Sequence, residues 1–303
     1  MPGLMLLDTP SLYFRAYYGV PESITAPDGM PVNAVRGLID MIATLVRAHS
    51  PGELVACMDA DWRPAFRVAA LPSYKAHRVA TGDEEEVPDT LAPQVPVIEQ
   101  VLDALGIARI GVPGYEADDV IGTCTARAAG RVDIVTGDRD LFQLVDDSRP
   151  VRVLYTVRGI RNLQIFDEAA ITAKYGIPGR AYADYATLRG DPSDGLPGVA
   201  GIGDKTAAAL VTRFGSLEAI LAALASGDAA GFPASARTKL SAALDYLAVA
   251  PTVVRVAPDA PVPGIDLALP GKPRDPEALV ALADRYGLDG PLNRLLDVLA
   301  AGR

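Results

Sequence analysis

The chain has 303 residues, half of them hydrophobic and 22% charged, with a formal net charge of −10 and a sequence pI of about 4.7. That balance suits one large or two moderate globular domains. It excludes a broad basic attraction to nucleic acid, so any such contact must come from local patches or bound cations.

Leu4 to Leu7 is a continuous apolar run ending at Asp8, the pattern of a buried parallel strand. The run is too short for a signal sequence, and no stretch reaches membrane-spanning length. Cys57 and Cys124 each lie in an apolar stretch and read as buried reduced thiols. A soluble, cytoplasmic protein with no membrane partner is therefore expected. From Val32 to Ala48, Val35, Leu38, Ile39, Ile42, Leu45 and Val46 recur at helical spacing. Leu54 to Met58 reads as a second strand, ending at Asp59. Residues 61–90 lack clear periodicity and hold Arg63, Arg67, Tyr74, Lys75, His77 and Arg78 before the acidic run Asp83 to Glu86. Such a stretch is usually a lid or binding loop, or disordered. Val95 to Leu105 is predicted as a helix and Ile107 to Val112 as a strand, followed by the turn signal Pro113-Gly114. Asp118 to Ala129 reads as a helix, and Val132 to Val135 as the next strand.

Strands alternating with helices predict an α/β domain with a mostly parallel twisted sheet flanked by helices, spanning residues 1–166. Ligands bind such sheets beyond the carboxyl ends of the strands, and Asp8, Asp59, Glu116 and Asp138 all follow strand ends. From Asp167 the pattern turns mainly helical, with helices predicted over Asp167–Tyr175, Tyr182–Leu188, Lys205–Phe214, Leu217–Leu224 and Ser235–Leu247. The Pro-rich stretch from Pro258 to Pro276 reads as extended, with final helices near Pro276–Tyr286 and Pro291–Leu299.

Two acidic clusters carry the chemistry: Glu116, Asp118 and Asp119, and then Asp138 and Asp140. Acids also suit the positive end of a helix dipole, but Asp-x-Asp after a strand sets two carboxylates on one turn. Asp191 and Asp194 form a third group, in a segment that also fits a plain turn. Carboxylates this crowded disfavour joint ionisation. Two Mg²⁺ ions about 4 Å apart would relieve that repulsion and clamp the attacking and leaving oxygens of a phosphodiester.

The segment Gly198-Val199-Ala200-Gly201-Ile202-Gly203-Asp204-Lys205-Thr206 resembles a P-loop, but Asp204 separates the last glycine from Lys205 and no apolar strand precedes it. A hairpin between two helices fits better, its helix start offering free N–H groups to a phosphate; a tight turn with no ligand is the plainer alternative. Arg15, Lys75 and Arg78 are candidate phosphate contacts, though each alone also reads as a solvated charge. Tyr74 could stack on a base or lie in the core, and Trp62 reads as packing. His49 and His77 are too few for a zinc site, and no Gly-x-Ser-x-Gly elbow supports a serine hydrolase.

Taken in order, these segments resemble the 5′→3′ exonuclease and flap endonuclease family, above all the nuclease domain that begins bacterial DNA polymerase I. The matching stretches are Leu6-Leu7-Asp8, Asp59 with Phe66-Arg67, Tyr74-Lys75-Ala76-His77-Arg78, Val112 to Asp119, Thr136 to Leu141 and Gly190 to Gly203. Together they cover nearly the whole chain.

The resemblance implies a PIN-like nuclease core with a helical arch at about 61–90. It also implies a C-terminal helical DNA-binding region over 167–303, with a helix-hairpin-helix-type motif at about 188–214. It implies two-metal hydrolysis leaving 5′-phosphate products, with Mg²⁺ or Mn²⁺ held by Asp8, Asp59, Glu116, Asp118, Asp119, Asp138, Asp140, Asp191 and Asp194. Lys75 and Arg78 look like the basic pair that steadies the scissile phosphate. Arg15, Arg67 and Tyr74 are expected on the DNA, together with Gly198, Gly201, Gly203, Lys205 and Thr206 of the hairpin, where family members can bind K⁺ through main-chain carbonyls. The implied partners are DNA with 5′ ends, flaps or gaps, or RNA-primed 5′ ends, met by a monomer at the nucleoid. Gly195 stands where an Asn is usual, and Thr9-Pro10 replaces the common Gly-Asn or Gly-His. The Asp83–Glu86 run lies where single-stranded DNA would thread. A non-catalytic DNA-structure binder and a nucleotide-dependent NTPase are the alternatives.

Overall fold

A computed structural model describes residues 3–80, 85–227 and 230–301. The first half runs β1 (Leu4–Asp8), α1 (Thr9–Gly19), α2 (Asn33–His49), β2 (Glu53–Cys57), α3 (Ala65–Ala70), α4 (Gln94–Leu105), β3 (Ala108–Ile110), α5 (Ala117–Arg127) and β4 (Val132–Thr136). Next come β5 (Val151–Tyr155), β6 (Gln164–Phe166), α6 (Glu168–Tyr175), α7 (Tyr182–Arg189), α8 (Asp204–Phe214) and α9 (Leu217–Ala225). The chain closes with α10 (Ala236–Ala242), α11 (Leu244–Val254), α12 (Pro276–Tyr286) and α13 (Asp289–Ala301). No single helix among the described residues is long and apolar enough to cross a membrane.

One six-stranded sheet has the order β3-β2-β1-β4-β5-β6, parallel except for the β6 edge. Alternate residues of β1 enter opposite cores: Leu4 and Leu6 face one, Met5 and Leu7 the other. Burial on both faces is why these strands read as continuous apolar runs. The strand order reverses at β1 and β4, so the crevice beyond their carboxyl ends is where a doubly wound sheet binds its ligand.

Several elements depart from the sequence reading. α1, β5 and β6 have no counterpart in the predicted elements; α1 buries only Thr9, Pro10, Leu12 and Ala16, too few for a clear periodic stripe. The helix predicted over Ser235–Leu247 breaks at Ala243, where φ is −113° and ψ 15°, into α10 and α11. In the arch region the described residues are helical only in α3 and one 3-10 turn, Ala76–Arg78. The Pro-rich connection is extended and runs past the start of β2, with Leu54 N donating to Leu267 O and Leu269 N to Gly52 O, both 2.9 Å. It carries α12 and α13 back onto α2 and α4, where Leu279, Tyr286, Leu292 and Leu295 join the core under Met5 and Leu7.

Candidate active site

The crevice at the strand reversal holds a cavity of about 220 Å³ lined by Asp8, Asp59, Glu116, Asp118 and Asp138, with Lys75, Arg78 and Glu85 also on its wall. Asp8 ends β1 and caps α1, its Oδ1 accepting from Ser11 N at 3.3 Å. Its Oδ2 accepts from Thr136 Oγ1 at 2.6 Å, and the same hydroxyl accepts from Asp138 N at 2.8 Å. The end of β4 therefore orients both acids through one threonine. Asp59, two residues beyond β2, accepts from Ala117 N at 2.7 Å. Glu116 precedes α5 and is held from three sides: by Tyr74 Oη at 2.7 Å, by Arg67 Nη1 at 2.7 Å and by Lys75 Nζ.

A second group lies beyond Asp138. Asp140 N donates to Asp138 Oδ1 at 2.8 Å, Asp191 accepts from Ser193 N at 3.0 Å, and Arg78 Nη2 meets Asp194 Oδ1 at 2.9 Å. The field on the buried Asp140 comes from Asp138, Asp194 and Asp191. Asp138 thus joins the two groups.

Burial is the main force on these acids. It lifts Asp8 to about 6, with repulsion from Asp138 adding to it. It lifts Asp59 to about 7 against the pull of Lys75, and Asp194 to about 6. Asp118, buried and facing Asp8 and Asp138, is raised well above the usual carboxylate range, as is Asp140. Such a set ionises fully only with added positive charge. The donors are all oxygens, and Asp140 Oδ1 is buried without a hydrogen-bond partner among the described residues, which fits hard divalent cations. Among the described residues no three acids stand at the spacing of a closed metal cage. A wide ring of this kind suits ions that keep part of their water shell, as Mg²⁺ does.

Three expected residues are not offered to solvent or ligand, and burial corrects their roles. Asp119, with no exposed surface, takes a two-pronged contact from Arg67 and accepts from Glu116 N at 3.1 Å and Ala257 N at 2.8 Å. Its oxygens are therefore engaged inside the protein rather than turned to the cavity. Arg67, only 2% exposed, also donates to Val253 O at 3.0 Å and so is an internal clamp, not a DNA contact. Tyr74 is buried with its hydroxyl on Glu116, leaving no face for a base. Arg15 lies on α1 against Gly137, its Nε buried and without a hydrogen-bond partner among the described residues.

The glycine segment joins α7 to α8, two helices, so the strand a P-loop needs is not there. Gly198 and Gly201 take φ of +67° and +75°, and a Cβ at Gly198 would meet Arg189 O at 2.4 Å. Gly203 caps α8, with Lys205 exposed and Thr206 half-buried in its first turn. Gly201 O accepts from Lys239 Nζ at 2.8 Å. Sequence reasoning missed Ser11 and Phe14 on the cavity wall, met Glu85 only as part of the acidic run Asp83 to Glu86, and read Trp62, also there, as packing. Only Ser11 left a signal, three residues after Asp8 at a helix start.

Residues 3–176 match the model of the 5′-3′ exonuclease N-terminal resolvase-like domain, and residues 177–276 that of the 5′-3′ exonuclease C-terminal SAM fold. The chain belongs to the 5′-3′ exonuclease family. It is 66% identical over 302 residues to a 5′-3′ exonuclease of Streptomyces coelicolor, covering 98% of this chain and 100% of that one. It is 44% identical over 224 residues to DNA polymerase I of Mycobacterium bovis, covering 73% of this chain and 24% of the polymerase. The crystal structure of T5 D15 protein co-crystallised with metal ions shares the fold, with a TM-score of 0.64 at 18% identity over 99% of this chain and 100% of that one. The two exonuclease domains meet between α6 and α7, so the resolvase-like domain supplies Asp8, Asp59, Glu116, Asp118, Asp138 and Asp140 and the SAM fold contributes Asp191 and Asp194.

Proposed function

We propose that this 5′-3′ exonuclease hydrolyses phosphodiester bonds of DNA at free or flapped 5′ ends, including RNA-primed ends, by a two-metal route that leaves 5′-phosphates. The observation that carries the reading is the ring of Asp8, Asp59, Glu116, Asp118 and Asp138 around one cavity, faced by Lys75 and Arg78. That ring would hold one ion, and Asp138 with Asp140, Asp191 and Asp194 a second, Mg²⁺ or Mn²⁺ in each case. When bound, the ions supply the charge that activates water and offsets the negative charge growing on the phosphate. The metal ions co-crystallised with the T5 D15 protein support a metal-dependent reading, and the divalent zinc ions bound to T5 5′-exonuclease support a divalent cation.

Lys75 and Arg78 steady the phosphate. Burial opposes the charge on Lys75, but Glu116, Tyr74, Asp194 and Asp59 outweigh it and hold the ammonium protonated well beyond the usual lysine range. Arg78 is half-buried and fixed by Asp194 and by Ser193 O at 2.7 Å, which points it from the arch toward the second acidic group. Duplex DNA would lie along the hairpin, where the first N–H groups of α8 and Lys205 meet a phosphate. A K⁺ ion on the hairpin carbonyls would meet the Lys239 ammonium already donating to Gly201 O at 2.8 Å.

The test is cleavage of a 5′-labelled flap duplex in Mg²⁺ by the wild type and by Asp138→Ala. Loss of cleavage in the variant supports the reading. Equal activity in both would sink it, and tight flap binding by the wild type with no cleavage in Mg²⁺ or Mn²⁺ would make the chain a non-catalytic binder.

A further inference from the structure

Glu85 lines the catalytic cavity but comes from neither a strand end nor α5. The backbone fastens it there. Glu85 bridges Val79 in antiparallel fashion, and Glu86 N donates to Arg78 O at 2.8 Å. The strongest charges acting on it are Lys75 and Arg78, with Glu116 opposing them. Both cations are already engaged elsewhere, Lys75 with Glu116 and Trp62 O, Arg78 with Asp194 and Ser193 O. The backbone thus seats a half-buried glutamate on the wall of the same cavity that Lys75 and Arg78 line, where a phosphate would be received.

The geometry points to Glu85 as an anion that competes with phosphate for the seat beside Lys75 and Arg78, and that expels the product more strongly than it hinders the substrate. The inference rests on the nuclease reading above. A diester phosphate carries one negative charge, whereas the terminal 5′-phosphate left by hydrolysis carries between about 1.5 and 2 at neutral pH. In a cavity of about 220 Å³ the carboxylate and phosphate cannot move far apart, and partial burial weakens solvent screening. Repulsion therefore grows at the moment the bond breaks, which favours release of the 5′-phosphorylated end.

The experiment measures binding of one duplex in two forms, with a 5′-phosphate and with a 5′-hydroxyl, by fluorescence anisotropy. Ca²⁺ replaces Mg²⁺, and gels check that the duplex stays intact. Glu85→Gln keeps the shape and removes the charge; Glu86→Gln, at an exposed neighbour, removes one charge from the same segment. For Glu85→Gln the 5′-phosphate duplex is expected to bind about tenfold more tightly and the 5′-hydroxyl duplex no more than about twofold, the scale of one partly screened charge pair. Unchanged or weaker binding overturns the proposal, as does equal tightening of both duplexes or the same tightening in Glu86→Gln. Flap cleavage by the wild type, run in parallel in Mg²⁺, reports on the nuclease reading separately, because the binding comparison needs no turnover.

Discussion

Arg67 and Asp119 form a buried two-pronged ion pair, Nη1 to Oδ2 and Nη2 to Oδ1, each 2.7 Å. Arg67 lies on α3 at the base of the arch and Asp119 on α5, and the same guanidinium reaches Glu116 and the carbonyls of Val253 and Arg255. One side chain therefore ties the arch base, a cavity carboxylate and the exit from α11. Removing one partner leaves a buried charge unpaired, so Arg67→Ala is expected to cost about 3–5 kcal/mol. Arg67→Lys keeps the charge but not the fork, and should fall between the two. Urea unfolding without DNA checks this; full stability in Arg67→Ala would return Arg67 to the role of a DNA contact.

The raised carboxyls set the pH response of the metal-free protein. Asp8 and Asp194 titrate near 6 and Asp59 near 7, against 3.8 when unperturbed. Between those values the folded state holds more protons at these three acids than the unfolded chain, so their contribution to stability is fullest below about pH 4 and is lost as pH rises through about 6 to 7. In EDTA the melting temperature should be higher at about pH 5 than at about pH 7.5. Because cations bind the deprotonated acids, Mg²⁺ should raise it more at the higher pH. A melting temperature in EDTA that rises from the lower to the higher pH would contradict the burial and mutual repulsion inferred for the ring.

Lys75 takes a left-handed backbone conformation, φ +47°, uncommon for a side-chain-bearing residue and frequent at functional positions. The turn aims its ammonium at Glu116 inside the cavity. If that charge acts on the phosphate in the transition state, Lys75→Ala should lower kcat on a flap duplex by about 10²–10³-fold while changing KM much less. Steady-state kinetics in Mg²⁺ decide it. A rise in KM alone would make Lys75 a binding residue.

The strands were legible because β1, β2 and β4 are buried on both faces and hence nearly continuous in apolar residues. Asp8, Asp59 and Asp138 were legible for the same reason, since each follows such a run. β5 was not read, although its Val-Arg-Val-Leu pattern mirrors the Val-Asp-Ile-Val of β4 and its Arg152 pairs with Asp133 in register. The role of Asp119 was hidden by distance along the chain: its partners Arg67 and Ala257 lie 52 and 138 residues away. An acid beside two metal-ligand candidates looks the same in sequence whether it turns outward or inward. For Tyr74 the residue pattern left a stacked base and a core position open, and burial with the hydroxyl on Glu116 decides for the core over the DNA contact that the resemblance implied.

Gly195 shows where family likeness and local geometry part. Asn is usual at this position in the resembling family, and Asn tolerates a positive φ, so φ +74° alone would not forbid it. Here, however, the base of the arch presses against the turn: Lys75 N donates to Asp194 O at 3.0 Å and Ser73 Oγ to Gly195 O at 2.8 Å. A Cβ on residue 195 would meet Ser73 O at 2.1 Å, a backbone atom that cannot swing aside. Gly195→Asn should therefore push residues 73–75 off the turn, displacing Lys75 from Glu116 and Arg78 from Asp194. The expected outcome is a loss of flap cleavage of about tenfold or more, as small misplacements of catalytic groups cost rate steeply. The global melting temperature should fall less than in Arg67→Ala, because the contact is exposed rather than buried. Cleavage kinetics and thermal unfolding on the same preparation test both halves, and wild-type activity in Gly195→Asn would show that the arch base adjusts to the added side chain.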